Sequence, residues 1–177
     1  MKKNCCLTNK GFSLVELIIV IAIMAILVGV IAPQLIKYIE KTNVSSDIQL
    51  CDSIHEAMTI ALSDPEVFMD TTDVYNQVYL DIFTTPNASY RLLASDPGYQ
   101  NCAFAKAVTE IVGYNPFSTA ESTVLKSTPA KQSGEIWIKV DSTGNHFYIY
   151  VKHSDKSGSK QDCTDMDKVI CSPTYTD

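Results

Sequence analysis

Basic residues are scarce in this chain and nowhere clustered beyond its first few positions. Fourteen lysines and arginines stand against 20 aspartates and glutamates, a formal net charge of −6. Lys2, Lys3 and Lys10 all precede the first apolar run. Without the first eleven residues, 11 basic and 20 acidic side chains remain, a balance of −9. A chain this acidic repels a phosphate backbone unless a local basic patch offsets the charge. The remaining lysines are scattered, so nucleic acid is not expected as a ligand. The chain also has no internal repeat, no long low-complexity tract and no glycine-rich phosphate loop. His55, His146 and His153 have no metal-ligand spacing, and no Ser/His/Asp or Cys/His set has local context. The one dense acidic cluster, Asp162, Asp165 and Asp167, matches no calcium-loop spacing and reads as a solvated loop. No catalytic residue, metal or cofactor is expected. The length of 177 residues suits one domain.

The other absence is of charge within one block. Leu17 to Ile36 is 20 residues without a single charged side chain. As a helix it spans about 30 Å, the hydrocarbon thickness of a bilayer. The lysines ahead of it place its N-terminus in the cytoplasm and the rest of the chain outside. A secretory signal cleaved after the run fits poorly, because the best small-residue site, after Ala32, is followed at once by Pro33. A lipoprotein signal needs a cysteine just after the run, and Cys5 and Cys6 come before it. A plain membrane anchor remains open on these grounds.

Two residues stand out around this block. Glu16 puts a carboxylate just inside an apolar helix, at a cost of about 2–3 kcal/mol near a helix centre and less at an edge. Such a residue is a functional candidate, the alternative being a charge that snorkels to the interface. Pro33 removes the hydrogen bond to the carbonyl of Gly29, itself a weak helix former. The pair predicts a kink or a soft spot at Gly29–Pro33.

The segment Lys10-Gly11-Phe12-Ser13-Leu14-Val15-Glu16-Leu17, followed by the apolar run, resembles the processing motif of type IV prepilins. The likeness is close from about Lys10 to Leu62 and architectural beyond. It implies cleavage between Gly11 and Phe12 by a prepilin peptidase that also methylates the new Phe12 amine, and retention of the apolar segment as a filament core. It implies that Glu16 aligns subunits by meeting the Phe12 amine of its own chain or a neighbour's. It also implies that the Gly29–Pro33 stretch can lose helicity on assembly; a static kink is the other reading. Cys51, Cys102, Cys163 and Cys171 remain after removal of the leader. Many pilins staple their C-terminal region, so the resemblance implies a Cys163–Cys171 disulfide, which the spacing permits without establishing.

Past Ile36 the pattern changes. Val44, Ile48, Cys51, Ile54, Met58 and Leu62 recur at steps of three and four, an amphipathic stripe opposite Ser46, Asp47, Gln49, Asp52, Ser53 and Glu56. Ser63-Asp64-Pro65 ends it. One helix from Phe12 to about Ser63, close to 80 Å long, is predicted, the alternative being two helices broken at Thr42-Asn43. Tyr99 to Val112 reads as a helix, and Val74 to Phe83 fits helix or strand. Residues 135–152 alternate with period two on both sides of a Gly144-Asn145 turn, an antiparallel hairpin with Trp137, Tyr148 and Tyr150 away from the helix stripe. A third strand is needed, from Thr123–Ser127 or Lys168–Ser172.

The expected fold is α+β: a long, kinked N-terminal helix, half membrane-spanning and half amphipathic, packed on an antiparallel sheet. Its parts are a leader (1–11), a transmembrane and assembly helix (12–36), an amphipathic half (37–64), a connecting region (65–133) and a hairpin sheet with C-terminal loop (134–177). The resemblance implies a pilus subunit, a major one included, in a filament for adhesion, surface motility or biofilm. Its partners are copies of itself, the peptidase/methylase, the pilus assembly machinery and, before assembly, the cytoplasmic membrane. The rival readings are a pseudopilin of a type II secretion or competence system, and a monomeric anchored binding module.

Overall fold

The computed structural model describes residues 12–127, 134–144, 146–152 and 170–172. One helix, α1, runs from Leu14 to Leu62 without a break at Thr42-Asn43, and it continues through Gly29 and Pro33. It contributes to two compact units, one ending at Ile39 and one beginning at Glu40. In the first unit the helix carries an 18-residue window of mean hydropathy 3.2, none of it buried. Length and composition suffice to cross a bilayer.

The second unit is the head. After α1 come α2 (Pro65–Met69), α3 (Val74–Thr84), β1 (Ser89–Arg91), α4 (Pro97–Asn101), α5 (Ala103–Val112), α6 (Glu121–Val124), β2 (Glu135–Val140), β3 (Phe147–Lys152) and β4 (Ile170–Ser172). The strands form one antiparallel sheet in the order β1-β2-β3-β4. The architecture is α+β, a long helix followed by a small antiparallel sheet. Asp64, Asp73 and Asp96 each cap the helix they precede, accepting from the N–H of Glu66, Tyr75 and Gly98. The ambiguous segment at Val74 is thereby helical.

The core joins four surfaces. From α1 come Cys51, Ile54, Ala57, Met58 and Ala61; from α3, Tyr79 and Ile82; from α5, Phe104, Ala105 and Val108; from the hairpin, Ile136, Ile138, Ile149 and Val151. The His55 ring lies on Phe147, 4.6 Å between centroids, so the inner face of the hairpin meets α1 as its alternation predicts. The outer face is a polar and aromatic lattice. Trp137 Nε1 donates to Glu135, Arg91 pairs with Glu135 at 3.3 Å, and Lys152 Nζ sits 5.0 Å from the Trp137 ring. Tyr150, expected to point away from the helix, is nonetheless only 1% exposed, its hydroxyl 3.1 Å from Ser89 Oγ.

Four expectations need correction or refinement. First, Asp47 does not belong to the polar face: it is 1% exposed, while Ile48 is outside. The buried row runs Asp47, Cys51, Ile54, Met58 and Ala61. Second, Thr123–Ser127 is not a strand. Residues 121–124 form a helical turn, and after Leu125 the N–H groups of Lys126 and Ser127 donate to Asp47 at 2.7 and 2.9 Å, with Ser127 Oγ adding a third bond. Donors spent on a carboxylate of α1 have none left for a strand neighbour. Third, β4 (Ile170–Ser172) falls inside the other candidate, and β1 supplies a strand the sequence did not suggest. Fourth, the helix expected over Tyr99–Val112 is split at Cys102, whose backbone is extended.

That split traces to Asn76, whose side chain is wholly buried. Its Oδ1 takes the Phe104 N–H at the start of α5, where Cys102 offers no side-chain cap. Its Nδ2 donates to the carbonyls of Val67 (2.7 Å) and Asp70 (3.1 Å). One amide therefore ties the α2–α3 loop to α5. At Gly98 an added Cβ would meet the Tyr75 ring, so a larger residue there would require the ring to move.

Two outcomes are expected for a fragment beginning at Lys37, which lacks most of the apolar block. Asp47→Ala strands two backbone donors and a hydroxyl and should lower stability by about 3 kcal/mol. Urea unfolding should show the loss in the midpoint with the slope unchanged. His55 gives a pH signature. Burial holds its pKa below the usual value, partly offset by a hydrogen bond at the Phe147 backbone and the charge of Asp52. The unfolded chain then takes up the proton first, so stability is full above about pH 6.5 and is lost as the pH falls below it. His55→Gln should remove that part of the acid sensitivity; an unchanged pH profile would refute the assignment.

Candidate functional site

At the start of α1 the residues Phe12 and Ser13 are not yet helical. Ser13 O accepts the first intrahelical bond from Leu17 N at 3.2 Å, and Glu16 Oε2 accepts the Ser13 N–H at 2.9 Å. This is half of a capping box, Ser-x-x-Glu, with the glutamate reaching back to the N-cap amide. The carboxylate thus satisfies the backbone donor of the N-cap residue itself. Ser13 was not among the residues singled out from the sequence, although the Ser13-Leu14-Val15-Glu16 spacing carries the signal.

From Phe12 to Ile39 every large apolar side chain is at least half exposed. They surround the helix on all sides and do not form a stripe, the pattern of a helix that is covered all round, as in a membrane span. A Cβ added at Gly29 would meet nothing within 4 Å, so in the isolated chain the glycine fills no tight contact. Pro33 lies inside the helix, as expected.

The other named residues divide by position. Gly11, at the expected cleavage point, lies outside the described residues, as do Cys163, His153 and the Asp162, Asp165 and Asp167 cluster. Cys171 lies on β4, where its backbone pairs with that of Tyr150. Cys51 and Cys102 are free and buried. Burial, with the nearby Asp47 and Asp52 charges, pushes the Cys51 thiol far above its ordinary range; burial also raises Cys102. Thiols held protonated in this way are poor nucleophiles. Among the described residues no group of three or more His, Cys, Asp or Glu is placed to hold a metal ion.

The chemistry on display is that of insertion and association: an apolar cylinder with one carboxylate at its tip. Comparison with known proteins agrees with this geometry. Residues 7–32 match the family described as the prokaryotic N-terminal methylation motif. The chain is 32% identical over 89 residues to a fimbrial protein of Moraxella nonliquefaciens, covering 50% of this chain and 57% of that protein. It is 29% identical over 132 residues to the type IV major fimbrial protein FimA of Dichelobacter nodosus, covering 68% of this chain and 81% of that protein. The first match therefore spans little more than half of its relative's length. No solved structure matches the chain.

Proposed function

We propose that this chain is a type IV pilin, made as a membrane-anchored precursor, cut between Gly11 and Phe12, methylated on Phe12, and polymerised with its own copies into a surface filament; the match to the N-terminal methylation motif and the similarity to two fimbrial proteins support this reading. The observation that carries this reading is the helix from Phe12 to Ile39, apolar on every side, joined to a head that has its own separate core. Before assembly, lipid covers the helix; in the filament, other copies do. On this reading residues 1–11 are the leader, 12–36 the assembly helix and 37–64 the amphipathic half of α1. The prepilin peptidase and the assembly machinery are its processing partners.

Glu16 has two tasks in this scheme. Within one chain it caps Ser13 through Oε2. A carboxylate has about four acceptor sites, and the cap occupies one. Cleavage creates a cationic amine at Phe12, one residue before the capped amide, and the remaining sites can receive the amine of an adjacent copy. In a low-dielectric surround such a pair is strong, and an amine left alone there is costly.

Processing is tested by the mass and N-terminal sequence of the mature protein, expected to begin at N-methyl-Phe12. A bulky replacement of Gly11 should leave full-length precursor in the membrane; normal trimming of that variant would count against the scheme. The tasks of Glu16 are separated by two substitutions. Gln retains the capping acceptor without the charge, and Ala loses both. Both variants should still insert and be trimmed, and both should yield no sheared filaments. Abundant filaments from Glu16→Gln would leave the cap as the whole role of this residue.

A further inference from the structure

Among the described residues of the head, an exposed apolar ridge lies on α2 and the start of α3, and hydrogen bonds hold its loop in place. Phe68, Met69 and Val74, on α2 and the start of α3, are 66–78% exposed. Exposed apolar groups rimmed by polar ones mark association surfaces. Here the rim is acidic: Glu66 is exposed, Asp64, Asp70 and Asp73 are half-buried, and Glu110 of α5 is nearby across a shallow depression that also includes Lys106. The loop has little freedom. Asn76 clamps the carbonyls of Val67 and Asp70, Gln77 adds a second bond to Asp70 O at 3.0 Å, and Asp70 folds back on Thr72 and Asp73. A surface already ordered in this way gives up little freedom on binding.

We propose that this ridge docks on the segment Lys37–Lys41 of α1 in a second copy of the chain; this rests on the filament reading above. The two segments match in spacing and oppose in sign. On the ridge, Glu66 and Asp70 flank Phe68 and Met69. On α1, Lys37 and Lys41 bracket Tyr38 and Ile39, which are 67% and 52% exposed, together with Glu40, so the segment carries a net charge of +1. Each charge pair is four residues apart, about one helical turn. The match sets anion to cation at both ends and apolar pair to apolar pair between them. An anionic lipid surface is disfavoured as occupant because the carboxylate rim is repelled by it. Moreover, packing of the apolar helices brings the Lys37–Lys41 segment of every copy among neighbouring heads, at high effective concentration.

The test uses the full chain expressed in cells that assemble it. Sheared filaments of the Tyr38→Cys/Phe68→Cys double variant, treated with a short bismaleimide, should give a ladder of covalent multimers. Wild type and each single variant, treated alike, supply the background of the native cysteines. In parallel, Glu66→Lys and Lys41→Glu should each lower filament yield about tenfold through like-charge contacts, and their combination should recover most of the loss. Filaments of the double cysteine variant that stay monomeric on treatment, or charge reversals that leave the yield unchanged, overturn the contact while the filament reading stands. Wild-type chain that is trimmed but never polymerises takes down both. Protease resistance of the membrane-bound precursor checks that each variant head is folded, and loss of yield without that resistance would count against the contact unless the combined charge variant recovers it.

Discussion

A helix with no charge over 20 residues and apolar groups on every side cannot remain in water, and everything else in this molecule accommodates that constraint. From the Leu17 N–H onward its backbone is bonded within the helix, apart from the bond that Pro33 cannot make to the Gly29 carbonyl, and internal bonding is the condition for lying in hydrocarbon at all. Its side chains are satisfied by nothing in the isolated chain. Two solvents fit: lipid tails, and the flanks of identical helices. They differ little for a leucine or an isoleucine, since lipid is as apolar as the side chain itself. A transfer from membrane to bundle is therefore not driven by apolar burial, and the direction of assembly must come from groups that do distinguish the two surroundings. In the proposed filament, the groups that can do so are Glu16 near the tip of the helix and, beyond the apolar block, the charged and half-polar surface that begins at Lys37.

The head solves a different problem with the same helix. From Asp47 onward one row of α1 is buried, and the row begins with a carboxylate. A buried carboxylate without partners would destabilise the fold; three donors from Lys126 and Ser127 convert it into a latch that fixes a stretch nearly 80 residues distant in sequence. Asn76 performs the neutral version of the same task for the α2–α3 loop and α5. Both are polar groups placed where long irregular connections must be held against a small core. A head with short elements between α1 and the hairpin needs such latches, because three- to five-residue helices and strands contribute little order of their own.

This explains what could be read from the sequence. Periodicity exposed α1 from end to end, the membrane half by its lack of charge and the other half by its three-and-four stripe, and it exposed the hairpin by alternation. Each of those patterns spans enough residues to average out exceptions. The stripe misplaced Asp47 because hydrophobicity alone assigns a carboxylate to the solvent side; its burial depends on donors that no local pattern announces. The strand expected at Thr123–Ser127 failed for the same reason, since Thr and Val favour strands only until something else claims the backbone. The single helix expected at Tyr99–Val112 overlooked Cys102, where the N–H at the start of the next turn is taken by Asn76 from another helix. β1 is three residues long, too short for a period to register. At the functional tip, Glu16 was legible as an anomaly, whereas its bond to Ser13 was missed: the capping spacing was present, but the carboxylate was read only for its charge.

The bond from Ser13 N to Glu16 changes what the position demands. If the glutamate merely carried charge, aspartate one carbon shorter would serve as well. A capping box needs the longer side chain to reach back over a full turn, and the neutral glutamine reaches equally far. The two requirements, reach and charge, meet only in glutamate. The cap also orients the carboxylate toward the start of the helix, where its charge is favoured by the helix dipole and where a trimmed chain bears its amine. On the proposed reading, an electrostatic partner from a neighbouring copy would find an acceptor already turned toward the helix tip, and the reorganisation that a free side chain would require would be largely avoided. In a medium that barely distinguishes lipid from protein, that prior orientation makes pairing with one register of the neighbouring helix more favourable than with the others.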